Sequence, residues 1–216
     1  MQASRKYAGG AGTHTPAKKQ QRAVVTRRQL TDAAREVFAR RGFELASVED
    51  IAAAAGKTRG AFYANFEDKE DVFFAIFEED HLRYREEVNW NLDADSSPEQ
   101  RLEALVIYLR EKIRDRARMQ LALEFKQYAI RHPRKTKRLA DLHAAMCMRC
   151  MEADLDKLPP VIAASSPKER RNQTAQIAAI LDGLALNCMF DEGSIGEARV
   201  ADLIRANLRV VFGMEC

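Results

Sequence analysis

The stretch Ser47–Lys69, SVEDIAAAAGKTRGAFYANFEDK, constrains this chain more than any other. Ser47 with Asp50 three residues on is a reciprocal capping pair that satisfies two otherwise orphaned backbone donors, so a helix is predicted to start near Val48. Val48, Ile51, Ala52 and Ala55 recur on one face, and four consecutive alanines let a neighbouring helix approach closely. Gly56 supplies the exit, because glycine tolerates the left-handed backbone that a sharp helix end requires. Thr58 then caps a second short helix. Phe62 and Phe66 form its apolar stripe, leaving Arg59, Gly60, Tyr63 and Asn65 for other faces. Two short helices joined by a glycine-bearing turn make a helix-turn-helix, whose second member enters the major groove of DNA. A preceding helix, from about Arg22 to Arg41, carries Leu30, Ala33, Ala34, Val37 and Phe38 as one stripe and stops at Gly42. It would roof the pair, with Phe38 and Phe43 meeting Val48, Ile51, Phe62 and Phe66.

Charge is distributed as phosphate contact requires. Residues 1–66 hold twelve Lys or Arg against five acidic residues, whereas residues 67–216 hold 23 against 27. Double-stranded DNA is therefore the expected partner of the basic end.

AGKTRGAFYANFEDKEDVF resembles the signature of the TetR family of bacterial transcriptional regulators, in which small, glycine, aromatic, Tyr, Phe and Lys positions recur in this order. The resemblance covers residues 47–72, extends to about residue 24 with the preceding helix, and takes in about a third of the chain; LEFKQYAIRHP and LDGLALN are looser likenesses. It implies a dimeric regulator that binds DNA and answers to a small molecule, with no catalysis and no cofactor. It further implies that Ser47 and Thr58 hold phosphates or sit near base edges, that Arg59 and Gly60 face the groove, and that Tyr63, Asn65 and Lys69 bind phosphate. On side-chain chemistry alone, Arg59 is the residue long enough and suited to bidentate guanine readout.

Beyond the head, Asp68 caps a long helix whose stripe Val72, Phe73, Ile76, Phe77, Tyr84 and Val88 continues to about Trp90; it is the natural mechanical link between head and body. Ser97-Pro98-Glu99-Gln100 opens another helix, and Met119–Arg131 a further one. Pro133 starts the next, expected to reach about Lys157, and LPPVIAASSP reads as a loop. Ser166-Pro167-Lys168-Glu169 restarts a helix that is apolar all round from Ile177 to Phe190, and a Ser194–Glu197 box is expected to begin the last. A helix apolar on every side has to be covered on every side, which a second copy of the chain does most easily. Ile177, Ile180, Leu181 and Leu184, with Leu203, Ile204 and Leu208 of the last helix, are the expected seam of a four-helix homodimer interface. The sequence shows no sustained period-two alternation. The predicted fold is all-α, with about nine helices: a flexible basic tail (1–21), a helix-turn-helix head (22–67) and a ligand-binding and dimerisation body (68–216).

The resemblance places a ligand cavity in the helical body. Its expected lining is Trp90, Leu105, Tyr108, Leu109 and Leu123 from the first half, and Tyr128, His143, Met146, Cys147, Leu184 and Cys188 from the second, with Met148 and Met189 beside them. Met-rich and aromatic walls suit a mostly apolar ligand, and release from a palindromic operator on binding makes a repressor. His143, Cys147 and Cys150 share one helix face. Their outer pair, seven residues apart, is separated by about 10 Å of helical rise, too far to ligate one ion, so no metal site is expected. A metal- or thiol-responsive sensor built on these residues, and a helical interaction module that does not bind DNA, are the rival readings. The four cysteines do not make a disulfide framework in a chain of this size. The first twenty residues lack an apolar core segment and the run Ala175–Phe190 is interrupted by Asp182 and Asn187, so neither signal peptide nor membrane span is expected, and a cytoplasmic protein is the default.

Overall fold

The computed structural model describes residues 16–87 and 90–214, with the side chains of 16–19 left out. Ten helices account for the described residues: α1 Pro16–Leu45, α2 Val48–Ala54, α3 Arg59–Tyr63, α4 Lys69–Glu87, α5 Pro98–Arg114, α6 Arg116–Arg131, α7 Pro133–Glu152, α8 Pro160–Ala164, α9 Pro167–Phe190 and α10 Glu197–Phe212. No strand occurs among them. The reciprocal boxes at Ser47, Ser97 and Ser166 all form, each with the serine oxygen accepting from the third helical amide.

Several boundaries differ from expectation for local reasons. α1 begins at Pro16, six residues before Arg22, because proline is pre-shaped for a first helical position. Residues 1–15 of the expected tail, together with Val88 and Cys216, lie outside the described residues. The segment expected to start at Met119 starts at Arg116, since the Asp115 side chain accepts the Arg118 amide and caps it. Part of LPPVIAASSP coils into α8, which buries Ile162 completely. The Ser194 box does not form; Gly196 stands at the cap of α10 instead.

Gly42 is where the head joins the body. Its φ of 74° and ψ of 158° break α1, a conformation only glycine adopts readily. The Phe43 amide freed by the break is taken by Glu124 Oε2 of α6 at 2.8 Å. The Phe43 ring then meets Phe38 at 5.0 Å, Phe73 at 5.7 Å, Phe125 at 5.4 Å and Tyr128 at 5.0 Å between centroids. One buried cluster therefore runs without a break from Leu30, Ile51, Phe62 and Phe66 of the head into Phe77 of α4, Ala122 and Phe125 of α6 and Met146 of α7. A second cluster joins α5, α9 and α10 through Leu102, Leu105, Ala185, Ile204 and Leu208.

Candidate nucleic-acid interface and ligand cavity

The head presents α3 outward. Thr58 Oγ1 accepts the Ala61 amide at 3.1 Å, and Phe62 anchors the helix from below while Tyr63 remains about half exposed. Arg59 extends along the surface with its side chain 65% exposed, paired to Glu49 at 2.9 Å and 3.4 Å from the Tyr63 hydroxyl. The Tyr63 bond and the Glu49 charge hold its pKa above the ordinary value, so it is a permanent cation. Gly60 is open, with only Thr58 Oγ1 at 3.8 Å from where a Cβ would stand. Arg59, Gly60, Tyr63 and the Thr58 hydroxyl thus share one solvent-facing surface.

Three other expected contacts are occupied within the chain. Ser47 is consumed by its cap: its hydroxyl donates to Asp50 Oδ2 at 2.6 Å and accepts the Asp50 amide at 3.1 Å. The Asn65 side-chain amide donates to the Ala61 carbonyl at 2.8 Å, and the Asn65 carbonyl accepts from Arg27 at 2.7 Å. Lys69 departs furthest from its expected place. Its Nζ donates to the carbonyls of Phe43 at 2.8 Å, Glu44 at 2.8 Å and Ala46 at 3.0 Å, using all three hydrogens to tie the start of α4 to the end of α1. Burial pushes its pKa down. Its ammonium faces the protein rather than a phosphate.

The body holds a partly open cavity of about 170 Å³ between α4, α5, α6, α7 and α9. Of the expected lining, Trp90, Leu105, Tyr108, Leu109, His143, Met146 and Cys147 are there. Tyr128 is not, because its hydroxyl donates to buried Glu70 at 2.8 Å and accepts from Lys135 at 2.7 Å inside the head–body core. Leu123 lies off the lining face of α6, while Leu184 and Cys188 pack into the second cluster.

The wall is also more polar than expected, with His81, Lys112, Arg118, Lys126, Asp154 and Asp182 all reaching it. His81 Nδ1 lies 2.6 Å from the Tyr108 hydroxyl and Nε2 3.3 Å from Asp154, which also pairs with Arg85 at 2.6 Å and Lys157 at 3.2 Å. Lys126 pairs with Asp182, and Arg118 Nε lies 3.6 Å from Asp80. Burial lowers the pKa values of His81 and His143, the latter to about 4, so both rings are neutral near pH 7. Burial raises the thiols of Cys147 and Cys150, the latter to about 11. Cys147 Sγ sits 3.8 Å and 3.9 Å from the two ring nitrogens of His143. Thiols held protonated beside a neutral ring are poor thiolate nucleophiles. No cluster of three or more His, Cys, Asp or Glu suited to a metal occurs among the described residues. The polar lining was readable in part: Lys112 follows Tyr108 by one turn on α5, and Asp182 interrupts the apolar run of α9.

The residues expected at the seam between two copies are covered to different degrees within one subunit. Ile204 and Leu208 are buried in the subunit's own second cluster, and Ile177, Leu181 and Leu184 pack against it, which leaves Ile180 and Leu203 only partly covered. The apolar groups turned outward are Leu186, Phe190 and Val210, at 52%, 89% and 78% exposure.

Residues 30–76 match the family model described as bacterial regulatory proteins, tetR family, and residues 98–213, more than half the chain, match BetI-type transcriptional repressor, C-terminal. The chain belongs to the TetR family. Within this family it is similar to the HTH-type transcriptional repressor AcnR of Corynebacterium efficiens, 41% identical over 32% of this chain and 36% of that protein. It is similar too to the HTH-type transcriptional regulator AcrR of Shigella flexneri, 33% identical over 50% of each chain. These alignments span about a third to a half of the relatives' own length. Among solved structures, the regulator FadR of Bacillus subtilis in complex with stearoyl-CoA has the same fold, with a TM-score of 0.53 at 17% identity, covering 88% of this chain and 99% of that one. No helix among the described residues is long and apolar enough to cross a membrane.

Proposed function

We propose that this TetR-family chain is a homodimeric repressor whose α3 helices read a palindromic operator and whose affinity falls when a small molecule fills the body cavity. The observation that carries the reading is the shared core. Phe77, Ala122 and Met146 line the cavity and belong to the same buried cluster as Ile51, Phe62 and Phe66 of the head. Close-packed interiors transmit a displacement instead of absorbing it, so a ligand that reshapes one end of this cluster biases the other. The tetR family match over residues 30–76 and the AcnR likeness support DNA binding by α2 and α3, and the FadR complex supports small-molecule control in this fold. Dimerisation through the outward face of α9 and α10 would set two α3 helices about 34 to 36 Å apart, one turn of DNA.

Fluorescence anisotropy on a duplex recovered from genomic fragments that the protein retains tests the reading. Affinity should fall by about 10³-fold or more between 50 and 200 mM salt if six or more phosphates are engaged. Arg59→Ala should weaken binding by about 1 to 3 kcal/mol if the guanidinium reads a base. Salt-insensitive binding indifferent to Arg59→Ala would overturn it.

A further inference from the structure

Lys112 is the one cation on the cavity wall with no ion pair or hydrogen bond among the described residues. Its Nζ rests over the Tyr108 ring at 4.2 Å and makes no other close contact of that kind. The charges around it are otherwise matched or absent. On α4 and α5, His81 is neutral and bonded to Tyr108. From α6, Arg118 faces Asp80 and Lys126 faces Asp182 of α9. On α7, His143 and the two thiols carry no charge, and Asp154 beyond it is held by Arg85 and Lys157. The unmatched positive character of the wall is therefore centred on Lys112, with Arg118 as a second cation nearby whose Nε makes no hydrogen bond.

From this we infer that the cavity takes a compact amphipathic carboxylate, its anionic head on Lys112 and its apolar body against Leu105, Leu109, Met119 and Met146. This rests on the cavity being the ligand site proposed above. Lys112 is partly buried, so its ammonium keeps only part of its hydration, and an anion on the cavity side supplies the partner that the wall does not. Burial, with the Arg118 charge nearby, holds Lys112 down to about 7, and an arriving anion favours its protonated form. A cationic ligand is disfavoured by the same wall. Trp90 and Tyr108, tilted at 5.1 Å, are the aromatic faces on which an organic ammonium would settle, and both are already covered by lysines: Lys157 at 5.0 Å and Lys112 at 4.2 Å. Size limits the body. An apolar cavity of about 150 Å³ holds a benzene ring, so one of about 170 Å³ suits a single ring or a short chain.

Trp90 is the only tryptophan and lines the cavity, so its fluorescence reports occupancy directly. The probes are two matched sets: phenylacetate, phenylacetamide and phenethylamine; hexanoate, hexanamide and hexylamine. In at least one set the acid should bind about 10- to 100-fold more tightly than its amide, as expected for hydrogen bonds to a charged group. Lys112→Met should abolish that preference while leaving amide affinity in place, and Lys112→Arg should retain it. The retained amide affinity, with an unchanged circular dichroism spectrum, certifies that the Met variant is folded. Acids that bind no better than amides or amines, a preference that survives Lys112→Met, or acids that do not bind at millimolar concentration would each overturn the inference. The same compounds are then added to the DNA complex. Lys112-dependent binding without DNA release upholds the ligand class and defeats the regulatory reading. Release by acids and amides at equal concentrations, from wild type and Lys112→Met alike, does the reverse.

Discussion

Replacing Lys69 by methionine separates two roles that one lysine could fill. Methionine keeps the length and apolar stem of the side chain and deletes the ammonium, which in this structure donates to three carbonyls at 2.8, 2.8 and 3.0 Å. Phe43 and Ala46 are buried and Glu44 is exposed, so one of the three acceptors can recover water readily and the other two less so. A bond to a charged donor contributes about 1.5 to 3 kcal/mol, but the half-buried ammonium also gives up hydration and lysine rotamer freedom on folding. The net loss should be about 2 to 4 kcal/mol, lowering the melting temperature by roughly 5 to 15 °C for a chain of this size. Differential scanning calorimetry reads the stability, and an anisotropy titration over several salt concentrations reads the DNA contact. A tie between α4 and α1 predicts lost stability with the slope of log K against log salt unchanged. A phosphate contact predicts the opposite: unaltered stability and a slope shallower by about 1.8, 0.9 for each copy in the dimer. The second pattern would refute the placement of Lys69.

The aromatic hub is open to a similar test. Phe43→Ala should cost about 3 to 5 kcal/mol in urea denaturation, because the ring touches four others and spans head and body; a loss under 1 kcal/mol would show the hub to be dispensable. His143 sets a pH limb. Its pKa is about 4 when folded against the ordinary 6.5, so the unfolded chain takes up the proton first and stability falls as pH drops from about 6.5 to 4. The full shift corresponds to at most about 3 kcal/mol, and the urea midpoint of His143→Asn should fall less steeply between pH 7 and 5 than that of the wild type. An identical acid limb in the variant would remove His143 from the explanation. Phe190→Glu combined with Leu186→Glu, both on the outward face of α9, should shift sedimentation from dimer to monomer without altering helicity; a persistent dimer would place the interface elsewhere.

The head was legible because its signals are local. Ser47 with Asp50, Gly56 and Thr58 are each read within four residues, and each performs the predicted backbone task. The tie made by Lys69 was not legible, because spacing places it at the start of α4 without saying which way a four-carbon stem turns. The carbonyls that claim it lie 23 to 26 residues earlier in the chain. Which face of α9 turns outward was hidden for a related reason. An all-round apolar helix carries no phase, so nothing in α9 distinguishes Leu184, turned into the subunit, from Phe190, turned out. The charged cavity wall was hidden because His81, Lys112 and Asp154 come from separate segments and meet only once α4, α5 and the end of α7 pack together. The short α8 was masked by its prolines, which mark a turn as readily as a first helical residue.

The central claim is that cavity and head move as one packed body. Its most direct test is the distance between the two α3 helices of the dimer, read by pulsed electron paramagnetic resonance from nitroxides on a keto amino acid at position 64, which spares the native thiols. With the cavity empty the distribution should match one turn of DNA, allowing for the label. Saturation with whichever probe quenches Trp90 should displace it by several ångströms, and Phe43→Ala should blunt that displacement. Overlapping distributions with the cavity empty and full would contradict the account.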